Sequence, residues 1–268
     1  MRTFRIILAL AAAVSFLQSS APAQTNAPVS VETNAPAVVQ TNALVIHTNL
    51  AIIPVSRVGS ITNRQNFVLR RAHENPGDYD IEFIGDSITQ GWEGRGSNVW
   101  QQYYGTRKVI NMGVSGDRTE HVLWRFENGQ LDGIKAKVAV VMIGTNNSGK
   151  NKDGSDAYTD ADILEGVVAV VNQIRTRQPD TKILLLGIFP RGKNFSPVRG
   201  RLLEVNQALA RLDDGAHIFY LDFGSQFIEN DGSISRSIMP DYLHPNEAGY
   251  KIWAAATEPK IKELLGEK

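Results

Sequence analysis

The chain has 268 residues, with 28 basic and 28 acidic side chains and no cysteine. The even charge gives no basic surplus for binding nucleic acid. The missing cysteine excludes a disulfide framework, a thiol nucleophile and a thiolate metal site. The length suits one large domain or two small ones.

Arg2 and Arg5 form a positive start, Ile6 to Leu17 an almost unbroken apolar run, and Ala21-Pro22-Ala23 a small-residue cleavage site. The run is short of the ~20 apolar residues that span a bilayer. The pattern predicts a cleaved secretory signal over 1–23, with Gln24 leading an exported product, secreted or periplasmic. With no cysteine to carry a lipid, that product is expected to be soluble, with no membrane span after cleavage. Thr-Asn-Ala recurs at Thr25, Thr33 and Thr41, with Thr48-Asn49-Leu50 as a variant, between Pro28, Pro36 and other small residues. A low-complexity linker is predicted over 24–56, and a globular domain over 57–268.

Within that domain, helical spacing runs from Ile61 to Glu74, and an apolar strand from Ile81 to Ile84 stops at Gly85-Asp86-Ser87. A helix around Asn98 to Tyr104 precedes a short strand, Lys108 to Asn111, and a helix carrying Val122, Leu123 and Phe126. The run Val138 to Ile143 is apolar throughout, as a strand covered on both faces should be. Then come a helix Ile163 to Ile174, a strand Lys182 to Ile188, a helix Arg201 to Leu212, a strand Ile218 to Leu221 and a helix from about Asn246. Strands alternating with helices predict an α/β fold: a flavodoxin-like three-layer α/β/α sandwich on a five-stranded parallel sheet.

Two loops mimic a phosphate cradle. Gly144 to Lys150 and Gly187 to Lys193 both have G-x-x-x-x-G-K spacing, but Asn151 and Asn194 stand where a metal-binding hydroxyl is required. The lipase elbow G-x-S-x-G is absent. Ser87, at the carboxyl end of the first strand, reads by itself first as part of a helix cap, with a nucleophile as the alternative. A nucleophilic serine needs a base. His47 falls in the linker, His73 and His121 on helices and His217 at a strand entrance. His244 follows a carboxylate at D-x-x-H spacing, in Asp241-Tyr242-Leu243-His244, in a loop before the last helix where a local turn lets Asp241 reach the imidazole Nδ1–H. Gly113 and Asn146 follow the second and third strands. A bare backbone N–H and a side-chain amide there are candidate donors to a developing oxyanion.

Gly85-Asp86-Ser87, Asn111-x-Gly113, Gly144-x-Asn146-Asn147 and Asp241-x-x-His244 occur in the order of the four blocks of the GDSL/SGNH hydrolases, which the chain resembles over roughly 61–265. His121-Val122-Leu123-Trp124-Arg125, Asn128-Gly129, Arg177-Gln178-Pro179 and Pro190-Arg191-Gly192 resemble one branch, the catalytic α subunits of intracellular platelet-activating-factor acetylhydrolase. The resemblance implies a serine esterase with the SGNH hydrolase fold. It implies Ser87 as nucleophile, His244 as base and Asp241 as its orienter, with Ser87, Gly113 and Asn146 forming the oxyanion hole. No cofactor or metal is implied, and a homodimer is suggested. Asp86 is expected to be structural. Ile88 replaces the Leu of the first block, a change with no catalytic consequence.

The expected activity is removal of short acyl groups, acetyl above all, from a small-molecule or polysaccharide ester. The predicted export favours carbohydrate, and Trp92 and Trp100, close to Ser87 in sequence, are candidate sugar-stacking rings, with core packing as the commoner use of such residues. Alternatives are a lipid-directed acetylhydrolase, lysophospholipase or thioesterase, and an exported glycan-binding module with a relict site.

Overall fold

The computed structural model describes residues 47–59 and 62–268. The signal and most of the linker lie outside the described residues. Five strands, β1 (Gly77–Gly85), β2 (Val109–Asn111), β3 (Ile134–Met142), β4 (Lys182–Leu186) and β5 (Ile218–Leu221), form one parallel sheet in the order β2-β1-β3-β4-β5. The helices are α1 (Thr62–Glu74), α2 (Ser87–Gln90), α3 (Ser97–Tyr104), α4 (Thr119–Glu127), α5 (Asp160–Arg177), α6 (Pro197–Leu209) and α7 (Glu247–Leu265).

The period of two along each strand divides the core. Ile84, Ala139, Val141, Ile183 and Leu185 pack with α4, α5 and α6, while Ile81, Phe83, Val138, Val140, Met142, Leu184 and Leu186 pack with α3 and α7. Helices therefore cover both faces, which is why the central strands read as unbroken apolar runs. Val68 and Ala72 of α1 close a smaller cluster with Ile110, Met112 and Ile134.

Residues 47–56, expected to end the linker, belong to the compact unit His47–Lys268. Ala51 is fully buried in the α4–α5 cluster, and its carbonyl accepts the Thr119 hydroxyl at 2.8 Å. His47 Nε2 meets Asp162 at 2.8 Å, and the Asn49 amide donates to Glu165 at 2.8 Å. A short 3-10 turn at Leu50–Ile52, capped by Asn49, sets this segment against the domain. Its composition hides the role, because one small residue, Ala51, supplies the fully buried contact.

Of the two readings open for Trp92, core packing and sugar stacking, the structure shows the first. The ring is fully buried, in contact with Phe83, Tyr104, Tyr250 and Trp253, and so cannot stack on a sugar. Trp100 is half-buried and lines a groove beside the Arg71 and Asn111 side of the sheet.

Candidate active site

Ser87 is the first residue of α2, directly beyond β1. Asp86 caps the helix, its carboxylate accepting the Ile88 N–H at 2.9 Å. The turn requires glycine at position 85, since a Cβ there would lie 2.4 Å from the Met142 carbonyl. The two sequence readings of this stretch thus fall on adjacent residues: Asp86 caps, and Ser87 presents its hydroxyl.

Ser87 Oγ lies 2.9 Å from His244 Nε2, and His244 Nδ1 lies 2.7 Å from Asp241 Oδ2. The other oxygen, Asp241 Oδ1, accepts the backbone N–H of His244 at 2.8 Å and of Leu243 at 3.2 Å. Burial works to raise the Asp241 pKa, but these N–H donors and the ring of His244 outweigh it and bring it down to about 2. An ionised Asp241 holds the proton on Nδ1, which leaves Nε2 to accept the Ser87 hydroxyl. Tyr242 makes the turn possible in a left-handed conformation, φ +60°, and its carbonyl accepts the Gly192 N–H at 2.8 Å. A non-glycine residue in that region is costly and is seen where geometry has to be held.

The three sequence-predicted donors are in unequal states. The Ser87 N–H begins a helix and has no intrahelical acceptor. The Asn146 amide donates to the Asp117 carbonyl at 2.8 Å and reaches Asp86 Oδ2 at 3.5 Å. The Gly113 N–H is engaged by Asn111 Oδ1 at 2.8 Å, while the Asn111 amide donates to the Thr89 carbonyl at 2.9 Å. A Cβ on Gly113 would lie 2.3 Å from the Gln90 backbone nitrogen, so glycine serves here to let the second-strand loop press against α2.

Several supporting residues were not found from sequence. The Tyr250 hydroxyl donates to the Ile88 carbonyl at 2.6 Å. Arg191 donates to the Thr145 carbonyl at 2.9 Å, fixing the loop that carries Asn146. The carboxylate of Asp117, whose carbonyl holds Asn146, is fully buried against Arg125. Each acts through a backbone carbonyl or through an ion pair between a loop and the following helix, and no sequence motif marks it. Asp86 is buried, and desolvation raises its pKa to about 6 against the pull of the Ile88 N–H, His244 and Arg191.

Ser87 and His244 open onto a cleft of about 470 Å³, lined also by Gln90, Gly91, Arg95 and Tyr250. A cavity of about 580 Å³ beside α6 contains none of the residues just described. Among the described residues, no cluster of three or more His, Asp or Glu side chains is arranged to hold a metal.

Residues 83–252 match the model of the GDSL-like lipase/acylhydrolase family. The chain belongs to that family. It is 36% identical over 208 residues to platelet-activating factor acetylhydrolase IB subunit alpha2 of Rattus norvegicus, covering 77% of this chain and 85% of the relative. Human subunit alpha1 is 34% identical over 189 residues, covering 70% of this chain and 78% of the relative. A GDSL-like lipase from Bacteroides thetaiotaomicron superposes with a TM-score of 0.61 at 17% identity, covering 76% of this chain and 99% of its own. An acetylxylan esterase from Geobacillus stearothermophilus, solved as a catalytic mutant, gives 0.52 at 19% identity, covering 71% and 95%. The fold is that of the SGNH hydrolases, and the chain is a carboxylic ester hydrolase of the GDSL type.

Proposed function

We propose that this protein is an exported acetylesterase acting on carbohydrate through Ser87, His244 and Asp241. The observation that carries the mechanism is the continuous path from Ser87 Oγ to His244 Nε2, 2.9 Å, and from His244 Nδ1 to Asp241, 2.7 Å. His244 takes the Ser87 proton as Oγ attacks the ester carbonyl, and Asp241 stabilises the imidazolium. The Ser87 N–H and the Asn146 amide receive the oxyanion. Gly113 joins them by sharing its N–H with Asn111 Oδ1. Collapse of the intermediate expels the alkoxide, which takes the proton back from His244 and leaves an acetyl-Ser87 ester. Water, deprotonated by His244, hydrolyses that ester, releasing acetate and restoring the serine.

The carbohydrate assignment is supported by the signal-like 1–23 segment and by an acetylxylan esterase among the proteins of this fold. Substituting Ser87→Ala and assaying p-nitrophenyl acetate tests the nucleophile, and full retained activity would refute it. A series from acetyl to decanoyl esters tests the chain-length claim, which fails if decanoyl turns over faster. N-terminal sequencing of the exported product, expected to begin at Gln24, tests the signal.

A second reading, deacetylation of a lipid ester, is favoured by the identity to the acetylhydrolase subunits. Product analysis on acetylated xylan, pectin-type glycans and acetylated phospholipids separates the two.

A further inference from the structure

Arg95 is an exposed cation in the wall of the cleft that holds Ser87 and His244. Its backbone is fixed. The N–H groups of Gly94 and Gly96 both donate to the Gly91 carbonyl at 3.0 Å, and the Ser97 N–H donates to the Gly94 carbonyl at 3.1 Å. The same loop lies flat on the aromatic core: a Cβ on Gly96 would sit 2.8 Å from the Tyr250 ring, and one on Gly91 2.1 Å from the Tyr250 hydroxyl. That hydroxyl is bonded to Ile88 in the helix begun by Ser87. Arg95 is thus mounted on the frame that positions Ser87.

The neighbouring charges leave it unneutralised. Glu93, the acidic residue in the same wall, is held between Arg64 at 2.8 Å and Arg71. Asp241 is paired with His244, and Glu247 with Lys251 and Asn98. Asp86 lies buried below the cleft with Arg191 as its nearby cation. Arg95 itself pairs with no carboxylate among the described residues, so its guanidinium faces the cleft with all its donors available. A planar guanidinium with a fixed backbone suits a carboxylate or phosphate oxygen pair.

We infer that Arg95 selects esters whose alcohol portion carries an anionic group. This rests on the esterase reading above and narrows its substrate: an acetylated sugar bearing a carboxylate or phosphate would be taken in preference to a neutral one. A partly exposed charge pair at such a site changes rates by a modest factor, roughly five- to tenfold.

The test uses three aryl acetates: phenyl acetate, 4-acetoxybenzoate and the 4-trimethylammonium analogue. For each, kcat/KM of Arg95→Glu, Arg95→Ala and Arg95→Lys is divided by that of the unsubstituted protein, so leaving-group reactivity cancels. In Arg95→Glu the anionic-to-cationic ratio is expected to fall by about tenfold or more, with Arg95→Ala intermediate and Arg95→Lys retaining most of the preference. Raising ionic strength should compress the ratio in the unsubstituted protein. An equal change on all three substrates, or no change in the ratio, overturns the inference. Equilibrium binding of the uncleavable 4-acetamidobenzoate against acetanilide gives a readout without turnover. Tighter binding of the anion, lost in Arg95→Glu, supports the inference even if none of the acetates is hydrolysed, whereas equal binding overturns it. Absence of hydrolysis would by itself count against the esterase mechanism alone. Comparing the Arg95→Ala-to-parent kcat/KM ratios of 4-acetoxyphenyl phosphate and 4-acetoxybenzoate tells a phosphate-bearing from a carboxylate-bearing alcohol: a lower ratio for either than for phenyl acetate supports the anionic class, and equal ratios for all three overturn it.

Discussion

The Tyr250 hydroxyl on α7 donates to the Ile88 carbonyl across 2.6 Å, joining the helix that follows His244 to the helix that begins with Ser87. The bond is buried, and its donor also fills the space left by the missing side chain of Gly91. Tyr250→Phe keeps the ring and its packing on Trp92 and removes only the bond. A loss of about 1–3 kcal/mol is expected for a buried carbonyl deprived of its donor, visible as a lower Tm. Turnover should also fall, since α2 would lose a restraint one residue from Ser87. Unchanged Tm and kcat would show that α2 is positioned by other contacts.

Removal of the proposed nucleophile or base, Ser87→Ala or His244→Ala, should cut kcat on p-nitrophenyl acetate at least ~10³-fold while leaving the circular dichroism and Tm close to those of the parent. Asp241→Asn is expected to cost less, on the order of 10²- to 10³-fold, because Asp241 is about half exposed, with 49% of its side chain accessible, and water screens its effect on the imidazolium. A smaller effect at Ser87 than at Asp241 would contradict the assigned roles.

Glu82 is a fully buried carboxylic acid in mid-sheet, opposite Ala139 and Ile110. Burial pushes its pKa up to about 8, against a weaker opposing pull from the Gln178 amide. A raised folded-state pKa gives stability that is complete below the unfolded value of ~4.5 and lost as pH climbs to about 8. Glu82→Gln should therefore leave Tm nearly unchanged at pH 4.5 and raise it by several °C at pH 8, corresponding to a gain of at least ~1 kcal/mol. Asp241, with its lowered pKa, acts in the opposite sense and only in acid, losing its contribution as pH falls from ~4 toward 2. Parallel stability–pH curves for the parent and Glu82→Gln would exclude the buried acid as their source.

The segment 47–56 offers a direct comparison of two chain starts. A protein beginning at Arg57 loses the burial of Ala51 and the bonds of Thr119, Asp162 and Glu165 to this segment. Several hydrogen bonds and one small buried side chain together represent about 2–4 kcal/mol, or a Tm lower by ~5–10 °C than that of a protein beginning at His47. Equal melting temperatures would make the segment a passive wrap.

The strands and helices were legible because both faces of the sheet are covered, which turns β1, β3 and β4 into apolar runs with helical amphipathic stretches between them. Errors lay at the ends. β1 starts four residues before the expected Ile81, since Gly77 to Asp80 carries polar residues beside the solvent-facing start of β3. α6 starts at Pro197, where proline at the first turn opens a helix. The meeting of Ser87, Asp241 and His244 was legible because Gly85-Asp86-Ser87 ends a strand and Asp241-x-x-His244 is a local turn before the last helix, whereas Asp214-x-x-His217, with the same spacing, leads into a strand. The state of Gly113 was not legible. Its N–H is held by a side chain two residues away, and no pattern distinguishes a glycine kept for close packing from one kept for an open donor. The sequence leaves Trp92 between core and cleft, because proximity to Ser87 along the chain does not reveal which way the ring turns.

The Ser87–His244 contact closes a separation of 157 residues. Four of the five strands and most of the helices lie between its partners, so the proposed mechanism requires nearly the whole topology to be in place. On that mechanism a polypeptide ending before His244 has its serine without the proposed base. The onset of turnover during refolding would therefore report the last long-range closure of the chain, later than the secondary structure seen by circular dichroism.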